Sequence, residues 1–242
     1  MDSQGQVPVE NRRAIQILKA QDCLPVICTG RGRGELGTVM TDADIDTAIL
    51  LNGMEMVQAG QLIYQGRIAP ASVHLLEILA SKHGHALGYY SNGSIKVAHH
   101  SQTMQQNFAH FHQDLPELAD TEVAAQNCQM LLLFSDQPHL DRLYMEALPQ
   151  LTFARNSPYS IDVTPTGLDK GAGIRHLLQL LQLTAPTYAF GDGLNDLSMF
   201  SAVDTAIAME NGRAETKQAA DYITLSNDQK GIPYALHHFG LI

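Results

Sequence analysis

The segment GDGLNDLSMF, residues 191–200, places two aspartates, Asp192 and Asp196, on either side of a tight turn. It follows an apolar run typical of a buried strand and continues into a pattern typical of a short helix. Gly191 and Gly193 permit a sharp turn and a close approach of the backbone to a ligand. Open α/β sheets bind ligands at the carboxyl ends of their strands, so the pattern favours a Mg²⁺ site built from these carboxylates. The alternative is an acidic turn in which an aspartate only caps the helix.

The chain on both sides of this segment alternates predicted helices and strands. Apolar periodicity predicts helices at residues 9–21, 171–183, 194–203 and 212–220, and strands at 24–30, 44–54, 186–193, 204–209 and 221–226. Alternation of this kind is typical of βαβ units around a parallel sheet. The fold class expected is therefore α/β.

The middle of the chain has a different pattern, with apolar runs separated by polar stretches rich in His, Gln and Ser. It predicts a strand or hairpin arm at 62–68, a strand at 130–135, a strand pair at 151–165, helices at 72–84 and 140–149, and a hairpin at 85–98 with a Ser-Asn-Gly turn. This is an α+β pattern inserted into an α/β one. We therefore expect a core domain from residues 1–58 and 166–242, and an inserted domain from residues 59–165.

Composition excludes several classes of protein. The 242 residues are 45% hydrophobic and 17% charged, as expected of a packed globular chain. The 15 Lys and Arg against 25 Asp and Glu give a net charge of -10, which argues against a nucleic-acid partner. No run is long enough for a membrane span, and the first twenty residues lack the apolar core of a signal peptide. Cys23, Cys28 and Cys128 have no metal-ligand spacing, so we predict a cytoplasmic protein in which Cys23 and Cys28 are buried thiols.

Two further polar residues stand at places where a phosphate could bind. Thr29 ends the strand LPVICTG, where its hydroxyl could donate to a phosphoryl oxygen, although strand-end threonines are common. Lys170 opens a helix, where its ammonium group could face a phosphate or simply be solvated. Taken singly, neither residue decides between a site and an ordinary surface.

Two other patterns favour a structural interpretation. Met104, Phe108, Phe111 and Leu115 have the spacing of one helix face, which predicts packing inside the inserted domain, or a face that lines a substrate pocket. The eleven histidines include close pairs, and a metal site would need several of them to converge. Surface or hairpin positions are expected for these pairs.

Together the motifs resemble those of the haloacid dehalogenase-like (HAD) hydrolases, specifically the Cof-type class IIB phosphatases. The matching segments, in chain order, are VICTGR (26–31), LLNGM (50–54), DVTPTGLDKGAGI (162–174), GDGLNDLSMF (191–200) and AIAMENGRAETKQAADYITLSNDQKGI (206–232). The resemblance spans both core segments, and the inserted domain has the length of the family's cap. It implies a Rossmann-type parallel sheet with an α+β cap that selects the substrate.

The resemblance also implies roles for individual residues. Thr29 and Lys170 would hold and neutralise the transferring phosphoryl group. Asp192 would bind Mg²⁺, with Asp196 as a second ligand or a support. The residues implied to line the phosphate and substrate side of the site are Gly30, Arg31, Asn52, Gly53 and Asn195. The substrate implied is a small phosphorylated metabolite such as a sugar phosphate, and no oligomeric state is implied.

The sequence departs from the family in one respect. Members carry Asp-x-Asp-Gly-Thr after their first core strand, where the first Asp attacks phosphorus and the second is the general acid and base; these 242 residues do not contain that pattern. In relatives it precedes the segment that resembles MDSQGQVPVENRRAIQIL, so about a dozen residues have no counterpart here. Asp2 has no strand before it, and Asp42, Asp44 and Asp46 lie in a polar linker. Asp136 follows the apolar run 130–135, but it lies in the inserted domain and is followed by Gln-Pro instead of a second Asp. None of them is a convincing substitute.

The departure leaves three interpretations open. The first is a Mg²⁺-dependent phosphomonoester hydrolase whose motif-bearing strand lies in a segment before Met1. The second is a non-catalytic protein that binds phosphorylated metabolites. The third is an inactive truncated form, because loss of a central strand would leave its neighbours' backbone groups unpaired at about 1–3 kcal/mol each. On that ground we expect the isolated core sheet to be unstable or rearranged.

Overall fold

The computed structural model describes all 242 residues, Met1 to Ile242, and its elements follow the alternation expected from the sequence. The helices are α1 (Val9–Ala20), α2 (Val39–Ala43), α3 (Pro70–Lys82), α4 (Gln102–His110), α5 (Glu122–Gln126), α6 (Asp141–Ala147), α7 (Lys170–Leu180), α8 (Leu197–Phe200), α9 (Ala214–Ala219) and α10 (Gly231–His238). The strands are β1 (Val26–Cys28), β2 (Thr47–Leu50), β3 (Glu55–Gln58), β4 (Gln61–Gln65), β5 (Ala86–Ser91), β6 (Ser94–Val97), β7 (Glu117–Leu118), β8 (Met130–Phe134), β9 (Leu151–Ser157), β10 (Ser160–Pro165), β11 (Tyr188–Gly191), β12 (Thr205–Ala208) and β13 (Tyr222–Ile223). No helix is both long and apolar enough to span a bilayer.

The chain divides into two units. Unit 1 comprises Met1–Arg31, Leu36–Tyr64 and Asp169–Ile242, and unit 2 comprises Gly32–Glu35 and Gln65–Leu168. These boundaries differ from the expected ones at residues 58 and 166. The first boundary lies later than expected because the chain completes the β3–β4 hairpin of unit 1 before it enters unit 2.

The short segment Gly32–Glu35 was not expected in unit 2. Its Glu35 side chain holds it there, because Oε1 accepts a hydrogen bond from the Tyr90 hydroxyl at 3.0 Å. Oε2 of the same carboxylate accepts from the Gly32 backbone N–H at 2.7 Å and closes the turn. The sequence gives no signal of this contact, since the partners lie far apart in the chain.

The strands of unit 1 form two separate sheets. One has the order β1-β2-β3-β4, with β1 and β2 parallel and β2 and β3 antiparallel. The other has the order β11-β12-β13 and is entirely parallel. Strands β1 and β11 are therefore edge strands, each paired on one side only. Cys28, at the end of β1, packs against the apolar clusters of both sheets, so the two edges belong to one core.

Glycines bring α7 close to its neighbours and so fix the start of that helix. A Cβ on Gly53, whose φ is +102°, would lie 2.6 Å from the Asp169 carbonyl oxygen. A Cβ on Gly171 would lie 2.1 Å from the Ser198 carbonyl oxygen, against the backbone of α8. Since backbone cannot move aside as a flexible side chain can, these positions require glycine.

Unit 2 is a six-stranded sheet of order β7-β6-β5-β8-β10-β9 with an apolar core of its own. The predicted hairpin is confirmed: Asn92 and Gly93 have φ of 52° and 80° and join β5 to β6. The predicted helix-face stripe is only half right. Met104 and Phe108 are buried on α4, but the helix ends at His110, and Phe111 and Leu115 are exposed.

Two other expectations fail for local reasons. Strand β3 was not predicted, because its first residue is the fully buried Glu55, and a charged residue interrupts the apolar pattern. Cys23 was expected to be buried but is exposed, because it lies in the turn between α1 and β1. Cys128 is buried, and no group of three or more His, Cys, Asp or Glu side chains is arranged to hold a metal ion.

His85 couples the stability of unit 2 to pH. Its Nδ1 lies 2.7 Å from the hydroxyl of the fully buried Tyr144, and its Nε2 is buried without a partner. Burial, followed by the nearby His83, lowers the pKa of His85 from its usual 6.5. The opposing carboxylates of Asp136 and Asp141 are smaller influences, as is the Arg155 charge. The fold therefore favours the neutral imidazole.

We expect the chain to lose stability as pH falls below 6.5, in part through His85. A pKa that is lower in the folded than in the unfolded chain gives stability that is present above the unfolded pKa and lost below it. Urea unfolding at pH 7.5 and pH 5 should show a smaller pH dependence for His85→Phe than for the unmodified chain. The matched variant is His99→Phe, at an exposed position, and should leave the pH dependence unchanged. Equal pH dependence in His85→Phe and the unmodified chain would contradict the assignment.

Candidate functional site

The turn after β11 is organised by the buried carboxylate of Asp196. Its Oδ2 accepts hydrogen bonds from the backbone N–H groups of Asp192 at 2.8 Å and Gly193 at 2.9 Å. A Cβ on Gly191 would lie 2.6 Å from the Asp196 Cβ, so this position requires glycine. From α9, the Thr216 hydroxyl donates to the Gly193 carbonyl oxygen at 2.9 Å. The turn is thus held from both sides.

Lys170 and Asp196 form a buried ion pair at this turn. The Lys170 Nζ lies 2.5 Å from Asp196 Oδ1, and the two side chains are 8% and 5% exposed. Lys170 is the first residue of α7, and Asp169 caps that helix by accepting from the Ala172 N–H at 2.8 Å. A buried pair of this kind needs good geometry to offset the cost of removing both charges from water. The rigid cap and the close-packed start of α7 provide that geometry.

The side chain of Asp192 differs from that of Asp196 in its contacts. The residue is exposed and makes no side-chain hydrogen bond or ion pair, while its backbone oxygen accepts from the Arg213 N–H at 3.0 Å. The two predicted metal ligands therefore differ. Both Asp196 oxygens accept hydrogen bonds, Oδ1 from Lys170 and Oδ2 from the backbone of the turn. Both Asp192 oxygens, by contrast, are free of side-chain contacts at the carboxyl end of β11.

The ends of β1 and β2 supply the remaining predicted residues. Thr29 follows β1, and its hydroxyl accepts from the Arg31 N–H at 3.1 Å. Asn52 is buried with a left-handed φ of 54°, and its side chain is so close to Gly30 that a Cβ there would meet Asn52 Oδ1 at 3.2 Å. The Asn195 amide donates to Asn52 Oδ1 at 3.4 Å, which links the two turns.

The structure thus places the predicted residues at the turns after β1, β2 and β11 and at the start of α7, all of them in unit 1. Arg31 is the exception in that its side chain is exposed and is held by none of these contacts. Asp169 and Thr216 were missed. The Asp169 cap could have been found from an Asp directly before the helical pattern, but the contact of Thr216 joins distant segments and has no local signal.

Cys28 borders the site but cannot act as a thiolate. Burial raises its pKa to about 12, outweighing the opposing effect of the Lys170 charge. A thiol that stays protonated at neutral pH is a poor nucleophile. The charge of Lys170, which lowers that pKa, and the charges of Asp196 and Asp169, which raise it, are smaller influences than burial.

The candidate substitute carboxylates are engaged elsewhere. Asp2 accepts from the backbone N–H groups of its own turn, and Asp44 is paired with Lys19 at 3.0 Å. Asp42 and Asp46 accept from neighbouring threonine hydroxyls, and Asp136 lies in unit 2. None of the described carboxylates therefore stands between Thr29 and Lys170 as a nucleophile.

The side chains at this turn fit a Mg²⁺ ion that takes one carboxylate ligand from the protein and its other oxygen ligands from water and substrate. Mg²⁺ commonly takes one or two carboxylates and completes its shell with water and substrate phosphate. Asp192 offers one such carboxylate with both oxygens free. Three protein ligands, the set typical of zinc, do not converge anywhere in the structure.

Comparison with known proteins gives consistent results. The profile of the haloacid dehalogenase-like hydrolase family matches residues 1–236. YkrA of Bacillus subtilis, a phosphatase in name, is 30% identical over 244 residues, which are 100% of this chain and 94% of YkrA. The HAD phosphatase BT1666 of Bacteroides thetaiotaomicron superposes with a TM-score of 0.90 at 26% identity, over 98% of this chain and 89% of that one. The HAD subclass IIB sugar phosphatase BT4131 superposes with a TM-score of 0.86 at 26% identity, over 98% of this chain and 93% of that one.

Proposed function

Since the chain belongs to the haloacid dehalogenase-like hydrolases, we propose that its site serves the Mg²⁺-dependent hydrolysis of phosphomonoesters of small metabolites, sugar phosphates among them. Family and fold make it a HAD-type phosphatase, as the motifs led us to expect. The observation that carries the proposal is the buried Lys170–Asp196 pair beside the free Asp192 carboxylate. This arrangement offers one fixed cation and one open metal ligand at the same turn.

Each residue of the site has a part in holding the phosphoryl group. The Thr29 hydroxyl donates to a phosphoryl oxygen, and the Lys170 ammonium offsets the negative charge that the oxygens carry in the transition state. Asp196 holds Lys170 in place, while Asn195 and Asn52 fix the facing turns. Mg²⁺, which Asp192 would hold, supplies further positive charge at the phosphoryl oxygens.

The nucleophile requires a strand that these residues do not provide. We place it on an extended segment between β1 and β11, which are two of the four edge strands of unit 1. In such a segment an aspartate oxygen attacks phosphorus, the bond to the ester oxygen breaks, and the second aspartate protonates the leaving alkoxide. Water then attacks the aspartyl-phosphate, giving its proton to the second aspartate and releasing phosphate.

A second candidate function is phosphometabolite binding without turnover. It is favoured by the lack of the nucleophile among these residues. Thr29, Lys170 and Asp192 would then bind a phosphate and a metal ion without a covalent step. The two candidates share a binding step and differ only in the covalent one.

We expect the chain to bind inorganic phosphate more tightly with Mg²⁺ than without it, and expect Asp192→Asn to abolish the difference. Calorimetric titration should show about tenfold or greater loss of affinity in Mg²⁺, since hydrogen bonds and contacts to charged groups contribute about 1.5–3 kcal/mol. Asp114→Asn makes the same charge change at an exposed position of unit 2 and should bind as the unmodified chain does. Equal affinity with and without Mg²⁺ in the unmodified chain would count against a cradle of either kind.

A further inference from the structure

The segment Gly32–Glu35 lies in unit 2, although the residues on either side of it, Arg31 and Leu36, lie in unit 1. Its backbone contacts the turn of the β5–β6 hairpin. The Gly34 N–H donates to the Gly93 carbonyl oxygen at 2.9 Å, and a Cβ on Gly34 would lie 2.9 Å from that same oxygen. The position therefore requires glycine, because a side chain there would push the segment away from the hairpin turn.

The Glu35 carboxylate holds the same segment through its own hydrogen bonds. Its Oε1 accepts from the Tyr90 hydroxyl at 3.0 Å, and its Oε2 accepts from the Gly32 N–H at 2.7 Å. Tyr90 is only 4% exposed, so its hydroxyl is a fixed anchor and not a mobile surface group. One carboxylate thus ties the start of the segment to strand β5, and none of the roles proposed above uses it.

The peptide group that joins Arg31 to Gly32 is hydrogen-bonded at both of its polar atoms. Its oxygen accepts from the Leu51 N–H at 3.1 Å, within unit 1, and its N–H donates to the Glu35 carboxylate, within unit 2. A peptide group is planar, so fixing its oxygen and its N–H fixes the plane and with it the backbone of Arg31. The bond to Glu35 therefore acts on the Arg31 backbone through one rigid group.

The backbone of Arg31 in turn orients the hydroxyl of Thr29. The Arg31 N–H donates to Thr29 Oγ1 at 3.1 Å. A hydroxyl has one proton to donate, and an oxygen that accepts a hydrogen bond directs its own proton away from that donor. In the proposed function this proton is donated to a phosphoryl oxygen. The direction of that donation thus depends on where the Arg31 N–H lies.

We propose that Glu35 is a positioning residue, whose carboxylate fixes the Arg31–Gly32 peptide group and through it the direction of the Thr29 hydroxyl. The inference rests on the proposed function in taking Thr29 to bind the phosphoryl group. Its new content is that an acidic side chain of unit 2 controls a phosphate-binding hydroxyl of unit 1. Glu35 itself touches neither the phosphate nor the metal.

Limited digestion with trypsin measures whether the carboxylate holds the segment. Arg31 and Arg33 are exposed, and trypsin can cut after either one when the segment opens. Glu35→Ala should raise the rate of cleavage after both arginines by about 3- to 10-fold, because loss of a hydrogen bond increases the open fraction by that order. Cleavage after the exposed Lys82, at the end of α3, is the internal reference and should not change.

Calorimetric titration with inorganic phosphate in Mg²⁺ measures the effect on the site. Glu35→Ala should weaken binding about 3- to 10-fold, the order expected for one misdirected hydrogen bond. Glu35→Gln should bind nearly as the unmodified chain does, because its amide oxygen can accept the Gly32 N–H while its NH₂ group donates to the Tyr90 oxygen. Glu146→Ala removes an exposed carboxylate of unit 2 that is paired with Arg142 on the same helix, and should leave the affinity unchanged.

A double-mutant cycle shows whether the effect passes through the Thr29 hydroxyl. Thr29→Val removes that hydroxyl and should itself weaken phosphate binding. Adding Glu35→Ala to Thr29→Val should then cause no further loss, whereas a general loosening of the site would weaken binding equally in both backgrounds. Gly34→Ala, which displaces the segment from the hairpin turn, should reproduce the effect of Glu35→Ala and its dependence on Thr29.

The outcomes separate this inference from the proposed function. Phosphate binding that Glu35→Ala leaves unchanged, or weakens equally with and without the Thr29 hydroxyl, overturns the role of Glu35 and leaves the proposed function standing. Unchanged cleavage after Arg31 and Arg33 in Glu35→Ala overturns that role as well, as does a loss of affinity in Glu35→Gln as large as in Glu35→Ala. An unmodified chain that binds no phosphate in Mg²⁺ overturns both proposals.

Discussion

The 242-residue chain is expected to release no phosphate from an aryl phosphate in Mg²⁺ above the Asp192→Asn background. Fusing an apolar strand and Asp-x-Asp-Gly-Thr to Met1 should raise the rate by about 10⁴-fold or more, the order of effect seen when an enzyme loses its nucleophile. The reason is that Asp2, Asp42, Asp44 and Asp46, which were weighed as substitute nucleophiles, are engaged in other contacts. The roles proposed for Thr29, Lys170 and Asp192 hold the phosphate and the metal but do not attack phosphorus. Release of inorganic phosphate with and without Mg²⁺ measures both rates.

The fusion carries its own controls. The same extension with both aspartates replaced by asparagine should dock equally well, yet stay at background. Turnover by the unextended chain that Asp192→Asn abolishes would mean that another nucleophile acts at this site. An extended chain that binds phosphate tightly in Mg²⁺ but does not hydrolyse esters would favour the binding protein over the enzyme.

The parts of the site that could be predicted from the sequence are those encoded within one turn. The segment 191–200 carries its glycines, its aspartates and the start of its helix together, so both its geometry and its place after a strand follow from local pattern. The pairing of Thr29 and Lys170 with that turn came from the resemblance, because nothing in their own surroundings distinguishes them from ordinary surface residues. Both residues lie in unit 1, and their pairing with the turn at the site stays a prediction.

The contacts between distant segments could not be predicted from the sequence. The buried ion pair of Asp196 with Lys170 depends on where α7 begins relative to the turn. Unit 1 has two separate sheets, and β1 and β11 are each paired on one side only. The expected weakness of the core sheet stays a prediction.

Replacing Asp196 by Leu is expected to destabilise the fold by about 3–5 kcal/mol, because the buried Lys170 ammonium would lose its only anionic partner in the site. The Asp192 and Gly193 N–H groups would lose their acceptor as well. Urea unfolding at pH 7 measures the loss. Adding Lys170→Met to Asp196→Leu should restore part of it, since the unpaired charge is then gone although the two N–H groups remain unsatisfied.

The matched comparison for that loss is the exposed Lys19–Asp44 pair, which has a similar N–O distance of 3.0 Å but side chains 38% and 40% exposed. Asp44 has a left-handed φ of 58°, so the replacement is Asn, which tolerates that conformation. Asp44→Asn should cost about 1 kcal/mol or less, because water screens the pair and solvates the remaining lysine. A loss in Asp196→Leu no larger than in Asp44→Asn would show that the turn does not depend on its carboxylate. The difference between the two variants therefore measures what burial adds to the Lys170–Asp196 pair, which is the feature that fixes a cation beside the Asp192 carboxylate.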